Sequence, residues 1–349
     1  MPIQRWHHYR QRGNSPHRRA ARFYLSQRAR LCLCAADQGG HIALIQQLSA
    51  AFTTVFFLLA LGFLVQHWRP LAEHTIEQLA NLVIEILLPF YLFFSIATTS
   101  ADVFRQAPIL IGMGVVTTLC NYYLARLALT PLRVHPERQA IFCFANAVPN
   151  TMFFGVPICV ALFGPLGLIY TVLYDLGIAL VVFTFGIWKL RGGRVENWRL
   201  LLRNPLLWSV IAGLGWSWLG GPFPGWLAEP FRTVGNSTLP LALLICGTQL
   251  AHLQASGSAW RRQLIGLSLL RLIISPLLWG AVFALIRWHD FAAQIIVIGV
   301  GMPVGLATAL FAKNYGADAE FAASATFWTT VGALFSLPLI VLLVKLIAG

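Results

Sequence analysis

The feature that most constrains this chain is a succession of long apolar runs joined by short connections that hold most of the charge. The runs cover residues 48–66, 78–98, 107–129, 139–163, 166–188, 205–220, 234–252, 263–286, 291–312 and 321–347. A helix needs about 20 mostly apolar residues to cross a bilayer. Of the 349 residues, 58% are hydrophobic and only 11% are charged. A soluble domain carries roughly a quarter charged residues, so the apolar excess is expected to meet lipid. Backbone in lipid must satisfy its own hydrogen bonds. The expected fold is therefore an all-α polytopic membrane protein with about ten transmembrane helices.

The net charge of +13 does not point to nucleic acid. Residues 1–40 hold eight Arg and one acidic residue, and most other basic residues lie between apolar runs. That is the distribution of a membrane topology signal rather than of a DNA-binding face. Segment 1–40 lacks the apolar core of a signal peptide. It is expected to be a disordered basic tail or an extension foreign to the natural protein, rather than an Arg-rich transit segment. The six cysteines are scattered, and Cys32-x-Cys34 has no second pair, so no metal site or cofactor is expected. There is no Walker loop, no G-x-S-x-G element and no His pair at helical spacing, so the chain does not read as an enzyme.

The two halves of the chain echo each other. Leu88-Pro89 and Leu239-Pro240 fall in the second and seventh runs. Pro149 lies 60 residues beyond Pro89, and Pro303 lies 63 beyond Pro240. Phe163-Gly164 follows the first later proline, and Phe311 with Gly316 follows the second. Five runs per repeat is an odd number, so the halves must insert with opposite orientation, a plan common among secondary transporters. The expected organisation is a tail over 1–40, a first five-helix repeat over 45–188, a cytoplasmic basic loop over 189–204 and a second five-helix repeat over 205–347. Loops after odd-numbered runs are rich in basic residues, among them Arg69, Arg133, Arg138, Lys189, Arg261 and Lys313; loops after even-numbered runs carry few. Both termini are thus expected outside. The Trp-rich stretch of Trp208, Trp216, Trp218 and Trp226 reads as an interfacial belt.

Pro149 and Pro303 each remove a donor and clash with the preceding turn. Their corresponding places predict two broken helices, runs four and nine, crossing near the bilayer midplane. Half-helix N-termini there present free N–H groups and positive partial charge. Such ends hold an anion without a buried cation. Asn146, Asn150 and Thr151 surround Pro149 as a polar lining; the plainer alternative is that they only cap the broken ends.

The element Asn150-Thr151-Met152-Phe153-Phe154-Gly155-Val156-Pro157 resembles the N-T-x-F-x-G-x-P element of the auxin efflux carrier family. Ala161-Leu162-Phe163-Gly164, Tyr174-Asp175, Leu239-Pro240-Leu241-Ala242-Leu243, Arg271 with Pro276, Met302-Pro303, Ala312-Lys313-Asn314-Tyr315-Gly316 and Ala322-Ala323-Ser324 are also similar. The likeness covers about residues 45–347. It includes plant auxin exporters and bacterial permeases for small carboxylates such as malate and malonate. It implies two inverted five-helix repeats, with a scaffold part (runs one, two, six, seven) and a transport part (three to five, eight to ten). It also implies a substrate site at the crossing of runs four and nine, a cytoplasmic (inner) membrane setting and a homodimer through the scaffold. By this resemblance Asn146, Asn150, Thr151, Met302, Pro303 and Thr308 are the expected substrate-binding residues, and Pro149, Pro157 and Pro303 shape the crossover. Where family members often carry an Asn after the second crossing, this chain has Ala307, with Thr308 beside it.

Four charged residues in or near the runs are candidates for coupling or gating: Glu85, Asp175, Arg271 and Lys313. Asp175 lies deep in run five, where it can carry a proton, bind Na+ or pair with Arg271 or Lys313. The reading that follows is a secondary transporter moving a small organic anion, expected to be a carboxylate, by alternating access. The alternative is a cation-coupled symporter or sodium/proton antiporter of similar fold. A receptor that binds without moving its ligand fits the short loops less well.

Overall fold

The computed structural model describes residues 38–99, 101–190, 202, 204–219, 223–252 and 260–347. The expected tail 1–40, save its last residues, and nearly all of segment 189–204 lie outside them. The chain divides into Met1–Ala50 and Ala51–Gly349; the account below concerns the second unit.

Each apolar run coincides with helix. These are α1 (Gln38–Trp68), α2 (Glu73–Ala97), α3 (Ala107–Leu132), α4 (Pro136–Ala147), α5 (Thr151–Phe163), α6 (Pro165–Leu190), α7 (Pro205–Leu219), α8 (Gly225–His252), α9 (Arg261–Leu285), α10 (Phe291–Val300), α11 (Ala307–Asn314) and α12 (Ala319–Ile347). Among the described residues, six helices are long and apolar enough to cross a membrane: α2, α3, α6, α8, α9 and α12. The apolar part of α1 and helices α5, α7 and α10 are shorter. Large apolar side chains such as Leu127, Leu285 and Phe335 point outward, where a soluble protein would place charge. The chain is a polytopic helical membrane protein. Trp208, Trp218 and Trp226 are exposed on α7 and α8.

Run four is two helices, α4 and α5, parted at 148–150; run nine is α10 and α11, parted at 301–306. Their prolines account for the breaks. At three other prolines the helix continues through a widened turn, whereas Pro131, Pro230, Pro240 and Pro338 lie in helices without one. The π turns Val83–Leu87, Thr151–Gly155 and Leu270–Ile274 each end two residues before a proline: Pro89, Pro157 and Pro276. A proline ring presses on the carbonyl four residues earlier, and in each case that residue is the middle of the π turn. The wider turn makes room without ending the helix.

Four described residues have positive φ: Arg133 (52°), Gly164 (65°), Arg287 (57°) and Gly316 (73°). They form two pairs, Arg133 with Arg287 and Gly164 with Gly316, each near the same 150-residue offset as the prolines. After Arg133, Arg287 and Gly316 the next amide bonds back five residues, from Val134 to Leu129, Trp288 to Phe283 and Ala317 to Ala312. This is a left-handed helix stop.

Glycine sets the closest helix approaches. A Cβ at Gly114 of α3 would strike the Tyr174 carbonyl of α6, and one at Gly177 of α6 would strike the Ile111 carbonyl of α3. Small residues at such crossings let backbones touch where lipid supplies no hydrophobic drive. Gly62 of α1 and Gly247 of α8 pair in the same way, against Leu244 and Leu59. Gly177→Val is expected to lower stability by about 1–3 kcal/mol through overpacking. Gly112→Ala, where a Cβ meets nothing within 4 Å, should leave it unchanged. Tryptophan-fluorescence melting in detergent compares the two; equal melting points would refute the close-packing account.

Candidate functional site

The two breaks meet. Pro149 and Val304 form an isolated antiparallel bridge. The Asn150 N–H donates to the Pro303 carbonyl at 2.8 Å, and the Gly305 N–H donates to the Val148 carbonyl at 3.0 Å. Two chain segments that have left their helices thus satisfy each other's backbone groups. The Val304 N–H finds a third partner, donating to Thr329 Oγ1 of α12 at 3.0 Å. Thr329 was not singled out in the sequence. Its signal is the run Thr326, Thr329, Thr330 at helical spacing, all fully buried.

The helix ends on the two sides of the crossing are treated differently. Arg271 of α9 is 0% exposed. Its Nε donates to the Met302 carbonyl at 2.8 Å, and its Nη1 donates to the Asn146 carbonyl. One guanidinium therefore ties together the carbonyl ends of α4 and α10. A cation at a helix C-terminus also opposes the negative end of its dipole. No carboxylate pairs with Arg271 among the described residues, and its Nη2 is buried without a partner.

The amide ends stay open. No side chain caps α5, whose first bond runs from the Gly155 N–H to the Asn150 carbonyl at 3.0 Å. The earlier amides of that turn have no helical acceptor. No side chain caps α11 either. Asn150 is buried, and its amide nitrogen makes only a long contact, 3.9 Å, to Cys246 Sγ of α8. The buried Thr308 hydroxyl at the start of α11 has no partner. The Thr151 hydroxyl donates to Asp175 of α6, which is partly buried. Beside Asp175, Tyr174 shares a 2.8 Å hydrogen bond with Thr117 of α3.

The structure thus gathers Asn146, Pro149, Asn150, Thr151, Asp175, Arg271, Met302, Pro303 and Thr308 around one point. Asn146 serves the frame: its Nδ2 donates to the Asn121 carbonyl of α3 at 2.8 Å, while its Oδ1 has no partner. Pro157 sits one turn into α5. Two candidates lie apart. Glu85 is exposed in the π turn of α2, and Lys313 is exposed in the last turn of α11, at the end away from the crossing. Asp175 pairs with neither Arg271 nor Lys313; its partner is Thr151. Cys246 and Asn121 carried no sequence signal, since neither lies beside a helix break.

If the Arg271 bridge holds the crossing, Arg271→Gln leaves two buried carbonyls short of a donor, at about 1–3 kcal/mol each. Arg271→Lys keeps the charge but lacks the fork that spans both carbonyls. Both variants are expected to melt below the wild type. A Lys variant as stable as the wild type would show that the double contact is not what secures the breaks.

Comparison with known proteins identifies the family of the chain. Residues 48–341 match the family described as membrane transport protein. An uncharacterized transporter of Methanothermobacter thermautotrophicus is 24% identical over 82% of this chain and 95% of its own length. An uncharacterized transporter of Methanocaldococcus jannaschii is likewise 24% identical, over 82% and 95%. Auxin efflux carrier component 8 of Arabidopsis thaliana is 23% identical over 41% of this chain and 40% of its own. The chain belongs to this family of membrane transport proteins, which has auxin efflux carriers among its relatives and consists of transporters rather than enzymes.

Proposed function

We propose that this protein is a secondary carrier that moves a small carboxylate across a cytoplasmic membrane by alternating access. The observation that carries the reading is the asymmetry of the crossing. Both carbonyl ends are neutralised by one buried Arg271, while both amide ends are left without a cap. Spare donors then surround the open ends: the Asn150 amide, the first-turn N–H groups of α5 and the Thr308 hydroxyl. Free N–H groups at helix N-termini suit a carboxylate, and a nearby uncompensated guanidinium adds a positive field.

Ten spans in two inverted repeats, 45–188 and 205–347, accommodate this site. The support is the recurrence of the proline breaks and of the left-handed helix stops at the same offset. Helices α7 and α8 both pack on α2, and α3, α6, α9 and α12 pack around the broken helices. In this reading the first group, with α1, is the scaffold and the site of homodimerisation, and the second carries the substrate. Both termini face outward, and segment 189–204 is cytoplasmic. A carrier whose site lies at the interface of such groups exposes it alternately as one group rocks against the other.

A panel of mono- and dicarboxylates, malate and malonate among them, tests the reading. Thermal shifts of purified protein identify ligands, and exchange of the labelled anion in proteoliposomes measures transport. Asn150→Ala is expected to abolish exchange while expression and melting temperature stay near wild type. Exchange at the wild-type rate in that variant, or no flux of any carboxylate in the panel, would overturn the proposal.

A further inference from the structure

Two charges at the crossing have no ionic partner. Arg271 is buried and bonded only to carbonyl oxygens. Asp175 accepts one hydrogen bond, from the Thr151 hydroxyl. Tyr174 lies within electrostatic reach of both. The elements packed on α6 bring other ionisable groups: Cys120, Tyr122, Tyr123 and Arg126 from α3, Glu137, Arg138 and Cys143 from α4, Cys159 from α5, Glu73, His74, Glu77, Glu85 and Tyr91 from α2, and none from α10. On α6 itself lie Tyr170, Tyr174 and Lys189. None of these bonds to Asp175, whose partner is Thr151 alone among the described residues. Glu85 belongs to α2 and is exposed there. At the starts of α4 and α12, away from the crossing, Arg138 and Asp318 neutralise each other in a 2.6 Å ion pair.

We infer that Asp175 is the carrier's proton site and that each carboxylate crosses together with one proton. This rests on the anion site proposed above. With the site empty, Arg271 and an ionised Asp175 sum to zero. An incoming carboxylate adds a negative charge to a region where unbalanced charge is costly. It lands on the first turn of α5, beside Thr151, whose hydroxyl already serves Asp175. Two carboxylates that close cannot both stay ionised at low cost. Proton uptake by Asp175, –COO⁻ plus H⁺ giving –COOH, restores the balance. Release of the anion on the far side makes the ionised form favourable again, and the proton follows. The coupling is reciprocal: the anion tightens proton binding and the proton tightens anion binding.

The geometry favours a proton over a metal cation. An oxygen-liganded cation takes a cage of several oxygens. Beside Asp175 the described side chains bring the Thr151 hydroxyl, and no group of three or more His, Cys, Asp or Glu side chains that could hold a metal ion occurs among the described residues. Asp175 is also partly exposed on a helix that is mostly buried.

The test uses purified full-length protein in proteoliposomes loaded with the pH dye pyranine. Voltage is clamped with potassium and valinomycin, and the probes are the carboxylates of the panel above. Wild-type protein is expected to acidify the lumen as labelled anion enters, one proton per anion, with protein-free vesicles as the control. Sodium should change neither flux. In Asp175→Asn the ratio of protons to anions is expected to fall to background, and Asp175→Glu should restore it. The ratio is normalised to the anion that moves, so a change in the amount of folded protein does not affect it. Anion entry without acidification in the wild type would overturn the coupling while leaving the carboxylate carrier intact. So would a sodium requirement, or an Asp175→Asn variant with the wild-type ratio. Absence of flux for the whole panel would remove the carboxylate reading and this inference with it.

Discussion

Everything in this structure follows from the need to satisfy backbone groups where helices break inside an apolar medium. An unpaired N–H or C=O is costly in lipid. Pro149 and Pro303 open two such gaps. The chain closes them by bringing the gaps together, so that Asn150 bonds to Pro303 and Gly305 bonds to Val148. Neither break is tolerable without the other. That mutual need fixes the relative placement of α4, α5, α10 and α11, and the helices around them are packed to keep it. The close glycine contacts between α3 and α6 belong to the same requirement, because α6 carries the partner of Thr151.

Satisfying the breaks produces polarity at the site. Four helix ends converge, two rich in carbonyls and two rich in amides. One arginine from α9 serves both carbonyl ends. The amide ends receive no cap, although Asn150 and Thr308 stand beside them with hydrogen-bonding capacity to spare. A protein that needed only stability would have capped them, since a cap is worth about 0.5–2 kcal/mol. Leaving them open suits a chain that reserves its donors for a guest. The guest we propose is the cargo, since the chain belongs to a family of membrane transport proteins.

Much of the fold was legible in the sequence, because lipid imposes simple rules. Run boundaries at 107–129, 166–188 and 263–286 fall within a few residues of α3, α6 and α9. The breaks at Pro149 and Pro303 were legible too, since proline acts through local geometry. Asn150 and Thr151 stand out because they are polar residues beside a break in an apolar run, and the structure places both at the crossing. The pairing of side chains was not legible. Arg271 reads as a candidate for coupling, yet it holds carbonyls 31 and 125 residues away. Asp175 reads as a proton carrier, a Na+ ligand or a partner of Arg271 or Lys313, and its partner is the Thr151 hydroxyl. Such partners are set by the tertiary packing of α6 and α9 against the breaks, which no local pattern encodes. The π turns before Pro89, Pro157 and Pro276 escaped for a different reason: nothing in the composition separates a widened turn from a kinked one.

A density map of the protein in lipid nanodiscs, with and without a carboxylate that shifts its melting temperature, tests the central claim most directly. The account expects both helices broken at 148–150 and 301–306, and new density for the anion between the Asn150 amide, the first turn of α5 and Thr308. Continuous helices through those segments, or an anion bound elsewhere with the amide ends still vacant, would contradict it.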